Sequence, residues 1–321
     1  MPHKHRGFWV YLSLLLTSAL WGSSFVFTRY LFLAEPALTP VMVVTLRLLL
    51  ATLFLWPLVY AGGRLEWLRR EDLHWFLLLA LLEPFLYFLC ENNGLRRVPG
   101  GLSSIIIATI PIFVPFGLYA AYREKLHWLN GAGLLLSLGG VILMIAGKGD
   151  GAAVSPEGIL YLAGAVLTAV VYSVILVKMV SRYRPYTLTM YTNLFGLLFF
   201  LPLFFLGGHF STFLQLRMTA GMWGALLCLG IGCSVLAYVL FNFGVRSVGA
   251  ARACVFNNLI PLFTLFLAVM MGQERVTWQK LAGMAVTVAG VWLAQKKPDK
   301  SGFRTTCGIR TRGPQNENLI S

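Results

Sequence analysis

Ten apolar stretches separated by short polar breaks run along the 321-residue chain, at 8–31, 41–61, 73–93, 101–122, 127–147, 158–180, 188–207, 221–243, 249–271 and 277–295. The hydrocarbon core of a bilayer is about 30 Å thick and takes about 20 apolar residues per helix. The pattern therefore predicts an all-α integral membrane protein with ten transmembrane helices. The first stretch is too long for a signal peptide and runs into Trp21-Gly22-Ser23-Ser24-Phe25 without a cleavage region, so it reads as a retained helix.

The pattern repeats at an offset of 150 residues. Asn92, Gly94, Arg96 and Val98 fall on Asn242, Gly244, Arg246 and Val248, and Ile110, Pro111, Phe113 and Phe116 fall on Ile260, Pro261, Phe263 and Phe266. Between 89 and 145, 15 of 57 positions are identical to their counterparts. Ala19 and Ser23 meet Ala169 and Ser173 at the same offset. Five helices per copy is an odd number, so the second copy must enter the membrane from the opposite side, and the repeat is predicted to be inverted. The expected division is a first repeat at 8–147, a Gly/Ser/Pro linker at 148–157, a second repeat at 158–295, and a basic tail at 296–321. That tail lacks apolar periodicity and is expected to be disordered in the cytoplasm. Transporters built on inverted repeats hold their substrate near the midplane, at the interface of the copies.

With 58% hydrophobic residues, 12% charged residues and a mean hydropathy of +0.74, an ordinary soluble domain is excluded. The net charge of +14 is scattered over loops and the tail, which argues for membrane topology rather than nucleic acid. With a cytoplasmic N-terminus, the inside segments hold 18 Lys and Arg and the outside segments 7, with Arg47 inside helix 2; without six in the tail, 12 still face 7. Both termini are therefore expected in the cytoplasm.

Several repeated residues have a plain packing role. Gly133 and Ser137 recur as Gly283 and Thr287, at the four-residue spacing that lets helix backbones approach closely. Pro111 and Pro261 are placed near the middle of helices 4 and 9, where each removes a backbone donor and is expected to bend its helix as a shape or a gate. Glu124 and Glu274 suit the positive ends of helices 5 and 10, and Trp128 and Trp278 suit an interfacial belt.

Ionisable groups at membrane depth are the sharper signal, because each costs at least roughly 2.5 kcal/mol at a helix centre unless paired or facing water. Arg47 lies in helix 2, Glu83 near the middle of helix 3, and Glu91 near that helix's outer end. With the two helices antiparallel, Arg47 falls in depth between the two glutamates. It either pairs with one of them as a structural ion pair or holds a substrate carboxylate while Glu83 takes an amino group or a proton. Glu83, Tyr87 and Glu91 recur at four-residue steps and are expected on one helix face. Trp21, Ser23 and Ser24 interrupt helix 1, and Tyr172 and Ser173 occupy the matching part of helix 6. Tyr238 and Asn242 share a face of helix 8, Asn257 and Asn258 lie midway along helix 9, and Tyr191 and Asn193 add polarity to helix 7. Each alone suits an interhelical hydrogen bond; together they outline a moderately polar pathway drawn from both halves.

Other classes find little support. The sequence has no HExxH, no GxSxG and no CxxC among its five cysteines, so an intramembrane enzyme, a metal and a cofactor are not expected. A non-transporting binding or scaffold protein is compatible with the repeat alone. Oligomeric state is not readable, because small-residue faces pack equally well within and between chains.

Three features together resemble a known family: Ala19-Leu20-Trp21-Gly22-Ser23-Ser24-Phe25 in helix 1, Arg47-Leu48 in helix 2, and a twice-repeated run from helix proline to loop glutamate to glycine-rich helix. That run reads Pro111, Glu124, Gly133 and Gly140, then Pro261, Glu274, Gly283 and Gly290. The likeness is to EamA-type transporters of the drug/metabolite transporter superfamily and covers about residues 8–295. It implies two five-helix domains, a plasma (inner) membrane location, and movement of small metabolites, often export of amino acids or related compounds. Glu83-Pro84 and Asn257-Asn258 fall outside the shared pattern. Since Arg47 is the lone basic residue deep in a span, a neutral, zwitterionic or cationic amphiphile suits the interior better than a phosphorylated one. The expected partners are that metabolite and the lipid bilayer, with no nucleic acid.

Overall fold

The computed structural model describes residues 3–97, 106–107, 109–123, 128–145, 155–270 and 277–295. Glu124 and Glu274, most of the expected linker (148–154) and the tail (296–321) lie outside the described residues. Helices make up nearly all of the rest. In the first half these are α1 (His3–Ala34), α2 (Pro40–Ala61), α3 (Leu73–Ala80), α4 (Tyr87–Leu95), α5 (Ile110–Tyr122) and α6 (Trp128–Ile145). The second half contributes α7 (Pro156–Val180), α8 (Pro185–Leu206), α9 (His209–Gln215), α10 (Ala220–Leu227), α11 (Ala237–Val248), α12 (Ala250–Val255), α13 (Ile260–Met270) and α14 (Trp278–Gln295).

Local chemistry starts them where the polar breaks end. Thr39 accepts the Met42 N–H at 3.3 Å ahead of Pro40, and Thr219 accepts the Met222 N–H at 3.3 Å to open α10. Proline occupies the first turn of α2, α7 and α8, where its missing N–H would have had no helical partner.

Among the described residues, seven helical runs are long and apolar enough to cross a membrane: Gly7–Ala34, Pro40–Ala61, Arg70–Gly94, Pro156–Val180, Pro185–Leu206, Ala220–Val248 and Ala250–Leu267. Three shorter apolar helices, Ile110–Tyr122, Gly131–Gly140 and Leu281–Ala294, fall where the hydrophobic pattern puts helices 4, 5 and 10. Large apolar side chains such as Leu53, Leu160, Phe116 and Leu206 point outward, as suits a hydrocarbon surround. Trp128 and Trp278 are exposed at the starts of α6 and α14.

The most extensive helix contacts join the two halves. α1 packs on α11 and α13, and α7 packs on α4 and α5, which are the elements 150 residues away. α2 lies against α8, and α6 against α14. The α6–α14 crossing is the closest of all. A methyl group on Gly133 would overlap the backbone at Gly290 and Ala294, and one on Gly140 would overlap the backbone at Gly283 and Thr287. Gly133 thus faces Gly290 while Gly140 faces Gly283, so the two helices cross antiparallel. The set of contacts maps onto itself under the 150-residue shift. Ser137 and Thr287 sit at its centre, fully buried.

Two spans are irregular at matching places. Between α3 and α4, residues Leu81–Leu86 form a widened π-type turn in which Glu83 leaves helical geometry altogether (φ −146°, ψ 116°), ahead of a cis Glu83–Pro84 bond. Between α10 and α11, Cys228–Leu236 forms a second, longer π segment containing Gly230 and Gly232.

The structure corrects two expectations. Glu83 and Tyr87 do not share a regular helical face, because the backbone is extended at Glu83. Pro261 lies within the helical run Ala250–Leu267, just after a 3-10 turn at Phe256–Leu259 that contains Asn257 and Asn258, and Pro111 lies in the first turn of α5. A prolyl nitrogen cannot bond back to the preceding turn, so the regular ladder begins after it. Trp21, Ser23 and Ser24 do not interrupt α1, since the serine hydroxyls donate into their own helix, to the Leu20 and Trp21 carbonyls at 2.7 Å each.

Candidate functional site

The irregular turns bring the ionisable residues of the first half against the polar residues of the second. Arg47, 6% exposed on α2, donates from Nε to Ser234 Oγ in the second π segment. Asn193 on α8 fixes that segment by donating to the Ser234 carbonyl at 3.0 Å. The Arg47 guanidinium also lies 4.6 Å from the Phe88 ring centroid, a cation–π contact. Among the described residues Arg47 makes no ion pair, and its two terminal nitrogens donate no hydrogen bond. The expected structural pairing with Glu83 or Glu91 is therefore absent: Ser234 and Phe88 hold the group instead.

Both carboxylates are bound on one side only. Glu83 Oε1 accepts from the Tyr238 hydroxyl at 2.6 Å, a bond between residues 155 apart. Glu91 Oε1 accepts from the Tyr87 hydroxyl at 3.0 Å, one helical turn away. The second oxygen of each has no hydrogen-bond partner among the described residues. Trp21 closes the wall, edge-on to Tyr238 at 5.2 Å between ring centroids and 5.1 Å from Phe241, with its Nε1 donating to the Cys233 carbonyl at 3.3 Å.

The remaining predicted residues lie on neighbouring helices. Tyr172 is buried on α7, where Ser173 bonds back to the Ala169 carbonyl at 2.8 Å. Asn242, one turn beyond Tyr238, donates to Thr189 Oγ1 at 3.2 Å and leaves its carboxamide oxygen without a partner. Asn258 is fully buried and donates to Ser137 Oγ, so it serves the α6–α14 crossing rather than the Arg47–Glu83 cluster. Asn257 is half-buried beside it. Ser234, Phe88 and Phe241 were not singled out by the sequence; the run Gly230-Ile231-Gly232-Cys233-Ser234 was the available signal. Among the described residues, no group of three or more His, Cys, Asp or Glu side chains gathers as metal ligands would. An apolar groove lined by Leu262, Met284, Val288 and Trp292 lies between α13 and α14 and contains none of these polar residues.

Arg47 thus keeps two terminal nitrogens, and Glu83 and Glu91 one oxygen each, without a hydrogen-bond partner among the described residues. The fold has a close counterpart in a solved crystal structure that is 18% identical in sequence, with a TM-score of 0.72 over 89% of this chain and 97% of that one. An uncharacterized transporter of Archaeoglobus fulgidus is 29% identical over 299 residues, covering 89% of this chain and 97% of its own length. A probable terminal-alkyne amino-acid exporter of Streptantibioticus cattleyicolor is 26% identical over 229 residues, covering 71% of this chain and 75% of its own. The model of the EamA-like transporter family matches residues 8–146 and again residues 156–295. With that match spanning almost all of the helical chain, the protein is a multi-pass membrane protein that belongs to the EamA-like transporter family.

Proposed function

We propose that the chain is a ten-helix transporter that moves a small zwitterionic metabolite, such as an amino acid, outward across the plasma membrane by alternating access. Two inverted repeats, 8–147 and 158–295, rock against each other around a midplane site, with both termini in the cytoplasm. Arg47 takes the substrate carboxylate, Glu83 the amino group, and Trp21, Tyr87 and Tyr238 pack on the apolar part. The protein performs no chemical conversion.

The observation that carries this reading is the state of Arg47: buried, anchored through Nε and Phe88, with its terminal nitrogens making no hydrogen bond among the described residues. Such a fork is presented to a ligand rather than spent on a neighbour. Two further facts support it: the self-mapping antiparallel crossing of α6 and α14, and the amino-acid exporter among the relatives.

Proteoliposome flux tests the reading. Counterflow of a panel of radiolabelled amino acids is expected to pick out at least one substrate. Arg47→Ala and Glu83→Gln, folded by gel filtration, are expected to lower its flux by about a hundredfold, the loss of a charge-assisted contact of roughly 2–3 kcal/mol. A protein that moves no amino acid, or variants that move it unchanged, would refute the assignment.

A further inference from the structure

At the end of the bundle that carries the α2–α3 and α7–α8 loops, the halves are tied together by charge. Asp72, 2% exposed, accepts from Arg182 Nη1 at 2.7 Å and from the Tyr183 hydroxyl at 2.9 Å. Burial pushes the Tyr183 phenol up, so it remains a donor through the neutral range, and its oxygen in turn accepts the Arg69 N–H at 3.2 Å. Glu66 accepts from Thr187 Oγ1 at 2.8 Å and from the Arg184 N–H at 3.2 Å. Every one of these bonds joins the first half to the second.

Directly beneath lies a chain of edge-on rings: Tyr183 to Phe76 at 5.0 Å, Phe76 to Tyr191 at 5.6 Å, and Tyr191 to Trp56 at 5.6 Å. Trp56 is nine residues along α2 from Arg47, about 13 Å at the helical rise. The rings thus fill the space between the charged layer and the Arg47–Glu83 site.

The opposite end is built differently at the corresponding positions. The 150-residue shift replaces Asp72 by Met222, Arg182 by Phe32, Tyr183 by Leu33 and Glu66 by Leu216. Met222 is buried there with Leu31, Leu38, Met42 and Leu226, and Phe32 and Leu216 pack against them. Apolar surfaces tolerate sliding, whereas a set of directional bonds around one buried carboxylate is lost together when its partners separate by a few ångströms.

We infer that the Asp72-centred network is the gate at this end of the pathway, closed in this structure and parting when the halves rock. The inference rests on the transporter reading above, and its test has a readout that needs no substrate. Spin labels carried on non-natural side chains at the exposed positions Glu71 and Ser181 report the separation of the two loops by pulsed electron resonance in lipid nanodiscs. Asp72→Asn is expected to raise the population of wide separations about tenfold, as loss of a hydrogen bond to a charged group implies. Glu66→Gln is expected to raise it less, and counterflow from that side is expected to accelerate. If Asp72→Asn does not fold, Glu66→Gln and Arg182→Gln decide by the same criterion. Folded variants whose separations match those of the unsubstituted chain would overturn the gate. Widened separations in a protein that moves no amino acid keep the gate and discard the substrate; unchanged separations with intact flux discard the gate alone.

Discussion

At the scale of single residues, the site turns on how Arg47 is held. Ser234 occupies its Nε and Phe88 lies against the guanidinium, which leaves the two-nitrogen edge without a hydrogen bond among the described residues. Ser234→Ala is therefore expected to raise the apparent KM for the counterflow substrate about tenfold with the maximal rate little changed, and Ser234→Thr to restore most of it. A fall in maximal rate alone would assign Ser234 to backbone integrity instead. Arg47, Glu83 and Glu91 were legible in the sequence because a charge inside an apolar stretch has few innocent explanations. Ser234 was not, since a serine among Gly232, Cys233 and Val235 looks like any small packing residue. Asp72 escaped for the opposite reason: it lies in a polar break, where a carboxylate is ordinary, and neither its burial nor its distant partner Arg182 leaves a local trace.

Among elements, the apolar stretches located almost every helix, because hydrophobic length is a direct consequence of bilayer thickness. What failed was regularity. Periodicity assumes one pitch throughout, and the π segments at Leu81–Leu86 and Cys228–Leu236 change it at the depth where the polar side chains matter. The glycine repeat was read correctly as close packing, and the α6–α14 crossing makes it quantitative. Gly140→Leu and Gly290→Leu place side chains into facing backbone and are expected to cost about 3 kcal/mol or more, seen as a lower melting midpoint in detergent. Gly139→Leu meets open space and is expected to melt near the unsubstituted midpoint. Equal melting of all three would mean that the crossing contributes little to stability.

For the whole molecule, the charge bias of the loops and the proposed inversion of the halves make one joint prediction about sidedness. A cysteine at Glu157 is expected to react with an impermeant thiol reagent added outside cells, and one at Ser181 only after the membrane is opened. The reverse pattern would invert the proposed topology, and equal reaction of both would break it. The way the halves interlock also bears on how such a chain is made. α1 finds α11 and α13, α2 finds α8, and α6 finds α14. The chain between such partners runs from 123 residues, α2 to α8, to 225 residues, α1 to α13. At roughly 5–20 residues per second the wait is about 6–45 s. Until then Arg47 lacks Ser234, and Glu83 lacks Tyr238. A first half made alone would leave Arg47 at membrane depth without the hydroxyl that holds it, where an unpaired charge is costly.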